Sequence, residues 1–148
     1  MSKLLDNVCS EFQRLPGIGR RTALRLAMHI LKLEPDVVDS LADSIARFRH
    51  DVRYCTSCNN LSDSDICPIC ADPRRDHSTI CVVEQVQDLM SIENTGQYQG
   101  IYHILGGVIS PMQGIGPSDL KIDLLADKLL SGTVREVIIA ISTSVEGE

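Results

Sequence analysis

The sequence predicts an α+β chain of several small domains: a helical N-terminal segment, a small cysteine-rich segment, and an incomplete α/β segment with a mainly parallel sheet. Three observations predict it. Apolar residues recur at helical spacing as far as about Arg53. Four cysteines crowd into a polar stretch from Tyr54 to about Asp76. Beyond that, short β-branched runs alternate with helical stretches, which is the pattern of an open α/β sheet. The domain boundaries expected on this basis are 1–53, 54–76 and 77–148.

In the first segment Leu4, Leu5, Val8, Phe12 and Leu15 mark one helix, and Pro16-Gly17-Ile18-Gly19 interrupts it. A second helix carries Ala23, Leu24, Ala27, Ile30 and Leu31, and a third, starting at Pro35, carries Val38, Leu41, Ile45, Phe48 and Val52. Three such amphipathic helices are expected to bury a common core. The interruption carries chemistry. Gly17 and Gly19 permit φ > 0 and leave the turn bare, so its amides, leading into a helix N-terminus, form a site for a phosphate oxygen. Arg20 and Arg21 fall in the first turn of the second helix, and Arg25 lies one turn after Arg21 on the same face. Cations there oppose the helix dipole at a cost of roughly a few tenths of a kcal/mol, which a bound phosphate reverses. The bland alternative is an αα-hairpin with a solvated basic face.

In the second segment Cys55-x-x-Cys58 and Cys67-x-x-Cys70 are separated by eight residues. Each pair makes one knuckle, and two knuckles supply the four sulfurs of a tetrahedral Zn²⁺ site with no position left for water or substrate, hence a structural one. Few apolar residues are present to hold this segment otherwise. Disulfides are the alternative. The N-terminus lacks the apolar stretch of a secretory signal, so a reducing, cytoplasmic setting is expected and disulfides are disfavoured. Cys9 and Cys81 lie on apolar stretches and read as core.

In the third segment Thr79-Ile80-Cys81-Val82-Val83-Glu84 is the pattern of a buried parallel strand. A short helix over Asp88 to Asn94 and a strand over Ile101 to Leu105 come next. Gly106 to Pro117 is read as an extended connection; it lacks the Lys-Ser/Thr ending of a P-loop, which argues against nucleotide binding. Ser118 is read as the cap of a helix running through Leu124, Leu125 and Leu129 to Gly132, before a third buried strand at Val137 to Ile141. Glu84, Glu146 and Glu148 lie after strand ends, where acids of an open sheet could converge on a divalent cation; solvated strand-end acids are the alternative. His29, His50, His77 and His103 show no ligand spacing.

Composition narrows the classes. Two Phe, three Tyr and no Trp leave too few aromatics for a base-stacking platform. No apolar run approaches the roughly 20 residues of a membrane span. The net charge of −6 hides an asymmetry. Residues 1–53 carry nine Lys/Arg against seven Asp/Glu, residues 54–148 five against thirteen, and Phe12 to Leu33 holds five cations and no acid. A local basic patch binds phosphates on an otherwise acidic molecule.

Taken in order, P-G-I-G, the paired cysteine knuckles, T-I-C-V-V-E, Y-H-I-L-G-G-V-I-S-P-M-x-G-I-G-P and V-E-G-E resemble the RecR family of bacterial recombination mediators along all 148 residues. The resemblance implies a helix-hairpin-helix domain, a four-cysteine zinc finger and a Toprim domain starting near Thr79, incomplete here because family members continue past Glu148. It implies a non-enzymatic, nucleoid-associated DNA-binding protein that assembles as a dimer or tetrameric ring and works with RecO and RecF to help load RecA at single-stranded gaps. By position, Arg21 and Arg25 match the family's DNA-contacting residues, the four cysteines its zinc ligands, and Glu84 its first Toprim acid. Glu146 and Glu148 stand where catalytic Toprim proteins carry Asp-x-Asp. The alternatives are a Mg²⁺-dependent Toprim nuclease or topoisomerase-like enzyme and, third, a pure protein-interaction adaptor that binds no DNA at low salt. No nucleophilic Tyr supports the enzyme: Tyr54, Tyr98 and Tyr102 all precede the third strand.

Overall fold

The computed structural model describes residues 2–143 and contains two compact units, 1–50 and 51–148. The first unit holds α1 (Lys3–Gln13), α2 (Arg20–Ile30) and α3 (Pro35–Asp51), the last residue of α3 falling past the division. Proline suits the first position of α3, where a helix amide has no partner to lose. α1 packs on α2. Ala23 and Ala27 are the buried residues of this unit among those described, and small side chains there let the two helices approach closely. The expected three-helix core does not form. α3 has no buried residue, and Val37, Leu41, Ile45 and Phe48 stay between 45% and 63% exposed. A helical period defines an apolar face but does not say what covers it.

In the second unit β1 (Arg53–Tyr54) pairs antiparallel with β2 (Leu61–Ser62), and the short helix α4 (Pro68–Ala71) comes after them. Then come β3 (Asp76–Val83), α5 (Val86–Glu93), β4 (Gly100–Ile104), two 3-10 turns at Pro111–Gln113 and Pro117–Asp119, α6 (Ile122–Leu130) and β5 (Glu136–Ala140). The second sheet runs β4-β3-β5, parallel throughout. Its first connection leads to one side of β3 and its second returns to the other, which for right-handed crossovers puts the helices on opposite faces. α5 covers Cys81, Val83, Tyr102 and Ile104 through Leu89, while Leu125 of α6 packs on the face made by Ile80, Val82 and Ile101. Ile80 to Val83 is therefore buried on both faces, which is why it reads as an unbroken apolar run. Gly100 opens β4 where no side chain fits: a Cβ there would lie 2.7 Å from the Thr79 carbonyl oxygen.

Several expectations for this segment need correction. β5 is an edge, with Val137, Ile138 and Ile139 at 37%, 38% and 69% exposure, because β-branching marks a strand without fixing whether both faces are covered. Ser118 does not cap α6. It sits in a 3-10 turn whose Asp119 carboxylate accepts from Gly116 N at 2.8 Å, and Lys121 N is drawn to Leu105 O at 3.0 Å before the helix begins. The stretch 106–117 is folded rather than extended: Ser110 and Ile115 form a bridge around the first turn, which Gly114 closes at φ 72°. β3 begins three residues earlier than the apolar run because its polar start at Asp76 still pairs with Gly100.

Candidate nucleic-acid interface and metal centre

The α1–α2 hairpin turns on Gly17, at φ 79°, a left-handed value that a Cβ would strain. Gly19 does not use that freedom; it is the N-cap of α2 at φ −86°, ψ 171°, ordinary extended backbone. The first hydrogen bond of α2 runs from Ala23 N to Gly19 O at 2.9 Å, so the amides of Arg20, Arg21 and Thr22 precede the ladder. No side chain caps this end and no acid lies in its first turn. Arg20, Arg21 and Arg25 are all exposed. Arg14 differs: it pairs with Glu11 at 2.7 Å. Among the described residues the hairpin therefore offers unfilled amides beside exposed guanidinium groups with no acid in the first turn, a disposition suited to an anion.

The four knuckle cysteines converge. The Sγ atoms of Cys55, Cys58, Cys67 and Cys70 all lie within 4.8 Å of one another, three of the residues buried. Cys58 and Cys67 approach to 3.5 Å, far too long for a disulfide and close to the roughly 3.8 Å between sulfurs of a tetrahedral Zn–S₄ site. Local backbone builds the pocket. Cys67 N donates to Cys55 Sγ at 3.3 Å and Cys70 N to Cys67 Sγ at 3.5 Å, while Pro68 starts α4 so that Cys67 is its N-cap. Crowding splits the thiols: hydrogen bonds from Cys58 and Cys70 hold Cys67 low, and the bond with Cys67 pushes Cys58 up. Four thiolates this close require a dication, and the donor set fits zinc.

Glu84 lies just past β3 at the carboxyl rim of the sheet and accepts a hydrogen bond from the Ser142 amide, which ties it to the chain just past β5. Asp88, one turn into α5, accepts from Gln85 N at 2.9 Å. Both line an open cleft of about 340 Å³ with Ser91, Ile92, Ala140 and Ile141. Glu146 and Glu148 lie outside the described residues. Cys81 is buried and Cys9 half-buried.

Sequence reading missed the polar network under α5. Arg75 forks onto Glu93 at 2.8 and 2.5 Å and donates to the carbonyls of Tyr98 and Gly100 at 3.2 Å. Tyr102 donates to Glu93 at 2.7 Å and stacks edge-on against Tyr98, ring centres 4.9 Å apart. The Arg75 guanidinium holds the Glu93 carboxyl below the usual range. Nothing in spacing pairs an arginine with a glutamate eighteen residues on. His29, His50 and His77 are exposed, but His103 is fully buried. Its Nε2 faces Lys121 O at 2.8 Å and so carries the proton, and burial lowers its pKa. Its Nδ1 and Lys128 Nζ are buried without hydrogen-bond partners among the described residues.

A basic helical hairpin, a four-cysteine knuckle pair and a parallel three-stranded α/β unit together define a zinc-bearing protein of the nucleic-acid-handling kind. Comparison with known proteins narrows this. The family model described as RecR, helix-hairpin-helix, matches residues 5–48, that for the RecR four-cysteine zinc finger domain matches 52–72, and that for the Toprim domain matches 78–148. The chain is 50% identical over 147 residues to the recombination protein RecR of Parabacteroides distasonis and 52% to that of Porphyromonas gingivalis, covering 99% of this chain and 71% of each relative. The RecR of Flavobacterium johnsoniae is 50% identical with the same coverage. The chain belongs to the RecR family, and Cys55, Cys58, Cys67 and Cys70 are the ligand set of its structural zinc. No helix among the described residues is long and apolar enough to cross a membrane.

Proposed function

We propose that this chain is a DNA-binding recombination mediator that acts as a clamp in recombinational repair, without catalysis of its own. It is organised as a helix-hairpin-helix domain (1–53), a zinc finger (54–76) and a Toprim domain (77–148). The observation that carries the reading is the start of α2: a glycine hinge at Gly17, the Gly19 cap, and Arg20, Arg21 and Arg25 exposed with no acid in the first turn. Such a contact grips phosphates and ignores base identity. A ring explains retention by an acidic protein, since topology holds the duplex and a few arginines touch it. The uncovered stripe of α3 supports self-assembly. RecO and RecF are the proposed partners, with RecA loading at gaps as the outcome, and the rim around Glu84 is the proposed partner surface. The bond from Ser142 N occupies one oxygen of Glu84, which supports a binding rather than a catalytic use of that acid.

The test is fluorescence anisotropy with duplexes of unrelated sequence across a salt series. Arg21→Ala with Arg25→Ala weakens binding equally for all sequences and lowers the salt slope by about 2. An unchanged slope removes the hairpin as the contact. Incubation with supercoiled plasmid and Mg²⁺ leaves the plasmid intact; nicking that Glu84→Gln abolishes would establish the enzyme instead.

A further inference from the structure

The second knuckle meets the sheet by packing, through Ile69 of α4, while the first knuckle is hydrogen-bonded to it at one residue of β4. As an edge strand, β4 presents main-chain groups away from β3, and these need partners when buried. At Ile104, 2% exposed, both are met by the first knuckle: Ile104 N donates to Cys58 O at 2.9 Å, and Ile104 O accepts from Asn59 Nδ2 at 3.0 Å. Asn59 reaches it from φ 63°, the one left-handed non-glycine among the described residues, with its own amide bonded to Cys55 O at 2.9 Å. Asparagine tolerates that conformation better than other side chains. The residue is 9% exposed.

Beyond Ile104 the chain leads to the rim. Leu105 N donates to Val83 O at 2.9 Å, Gly106 N to Glu84 O at 2.9 Å, and Lys121 N closes the strap 105–121 onto Leu105 O at 3.0 Å. We propose that Asn59 is a latch through which zinc occupancy sets the order of this rim. With the metal bound, the knuckle's backbone is fixed and Cys58 O and Asn59 Nδ2 continue the sheet at Ile104. That in turn holds the strap and the backbone of Glu84. With the metal gone the knuckle loses its shape, and both partners of Ile104 go with it. Asn59 is a positioning residue; it touches neither the metal nor the acid. Coupling of this kind is reciprocal, so opening the latch also loosens the metal.

Hydrogen exchange of the whole chain, read at single amides, tests this alongside zinc release to a coloured chelator. Asn59→Gly is the informative variant, because it keeps the left-handed backbone and deletes only the side-chain bond. The expected result is one zinc per chain in the variant, zinc release about tenfold faster than in the wild type, and about tenfold faster exchange at Ile104 to Gly106. Exchange at Ile80 to Val82 stays unchanged. Full removal of zinc from the wild type produces the same pattern, larger in size. Unchanged exchange at Ile104 to Gly106, or unchanged zinc release, overturns the latch. Equal acceleration throughout β3 overturns it as well, since zinc would then be holding the whole unit rather than the rim. Failure of the wild type to bind one zinc per chain would instead count against the metal assignment on which the latch rests.

Discussion

The two units solve the problem of small size differently. Unit 51–148 stabilises itself: Ile80 to Val83 of β3 is buried on both faces, Arg75 and Glu93 are paired beneath α5, and four sulfurs converge into a metal-ligand set. Unit 1–50 buries little more than two alanines and leaves the apolar positions of α3 in water. One is finished by chemistry inside the chain, and the other leaves an apolar helix face exposed. Regular helices can therefore belong to a surface whose partner lies outside the unit.

The largest effect that would sharpen this contrast is loss of the metal. Cys58→Ser retains less than one zinc per chain and lowers the thermal midpoint of unit 51–148 by on the order of 10 °C, leaving helical signal from α1 to α3 in place. Retention of a full zinc in that variant would contradict the ligand assignment. Next, Ile45→Asp with Phe48→Asp places charges on the α3 stripe. Light scattering is expected to show a smaller species than the wild type, and an unchanged mass would show that the stripe is not used in assembly. Third, Arg75→Ala leaves Glu93 partly buried without its cation and costs unit 51–148 about 3 kcal/mol in urea unfolding, with no change in DNA affinity.

The smallest effect is pH dependence. Burial lowers the pKa of His103 below its ordinary 6.5, and Arg75 lowers that of Glu93 below 4.5. A depressed group contributes stability that is complete above its unfolded pKa and is lost as pH falls through the folded one. Unit 51–148 therefore loses stability on acidification in two stages, the first beginning near pH 6.5 and the second near pH 4.5. His103→Gln removes the first stage; a wild type that gained stability between about pH 7 and 5.5 would reverse the assignment.

Much of this was legible in the residues. Pro35 marks the start of α3, Gly132 at φ 74° ends α6, and the cysteine spacing assembles a ligand set. These are local signals, carried by one residue or by a fixed short interval. The losses came where a partner far along the chain decides the outcome. Ser118 lost its cap because Leu105 claims Lys121, and spacing did not separate the buried His103 from the exposed histidines because its partner, Lys121 O, lies eighteen residues on. Asn59 carried a weak mark, an asparagine directly after a knuckle, but its target forty-five residues away left no trace in spacing.

Among the described residues no strand pairs with the outer side of β5, and Ile138 and Ile139 are exposed on alternate faces. A strand of that kind templates addition of another strand, so concentrated solutions of this chain should drift toward turbidity, and a lysine in place of Ile139 should hold them clear.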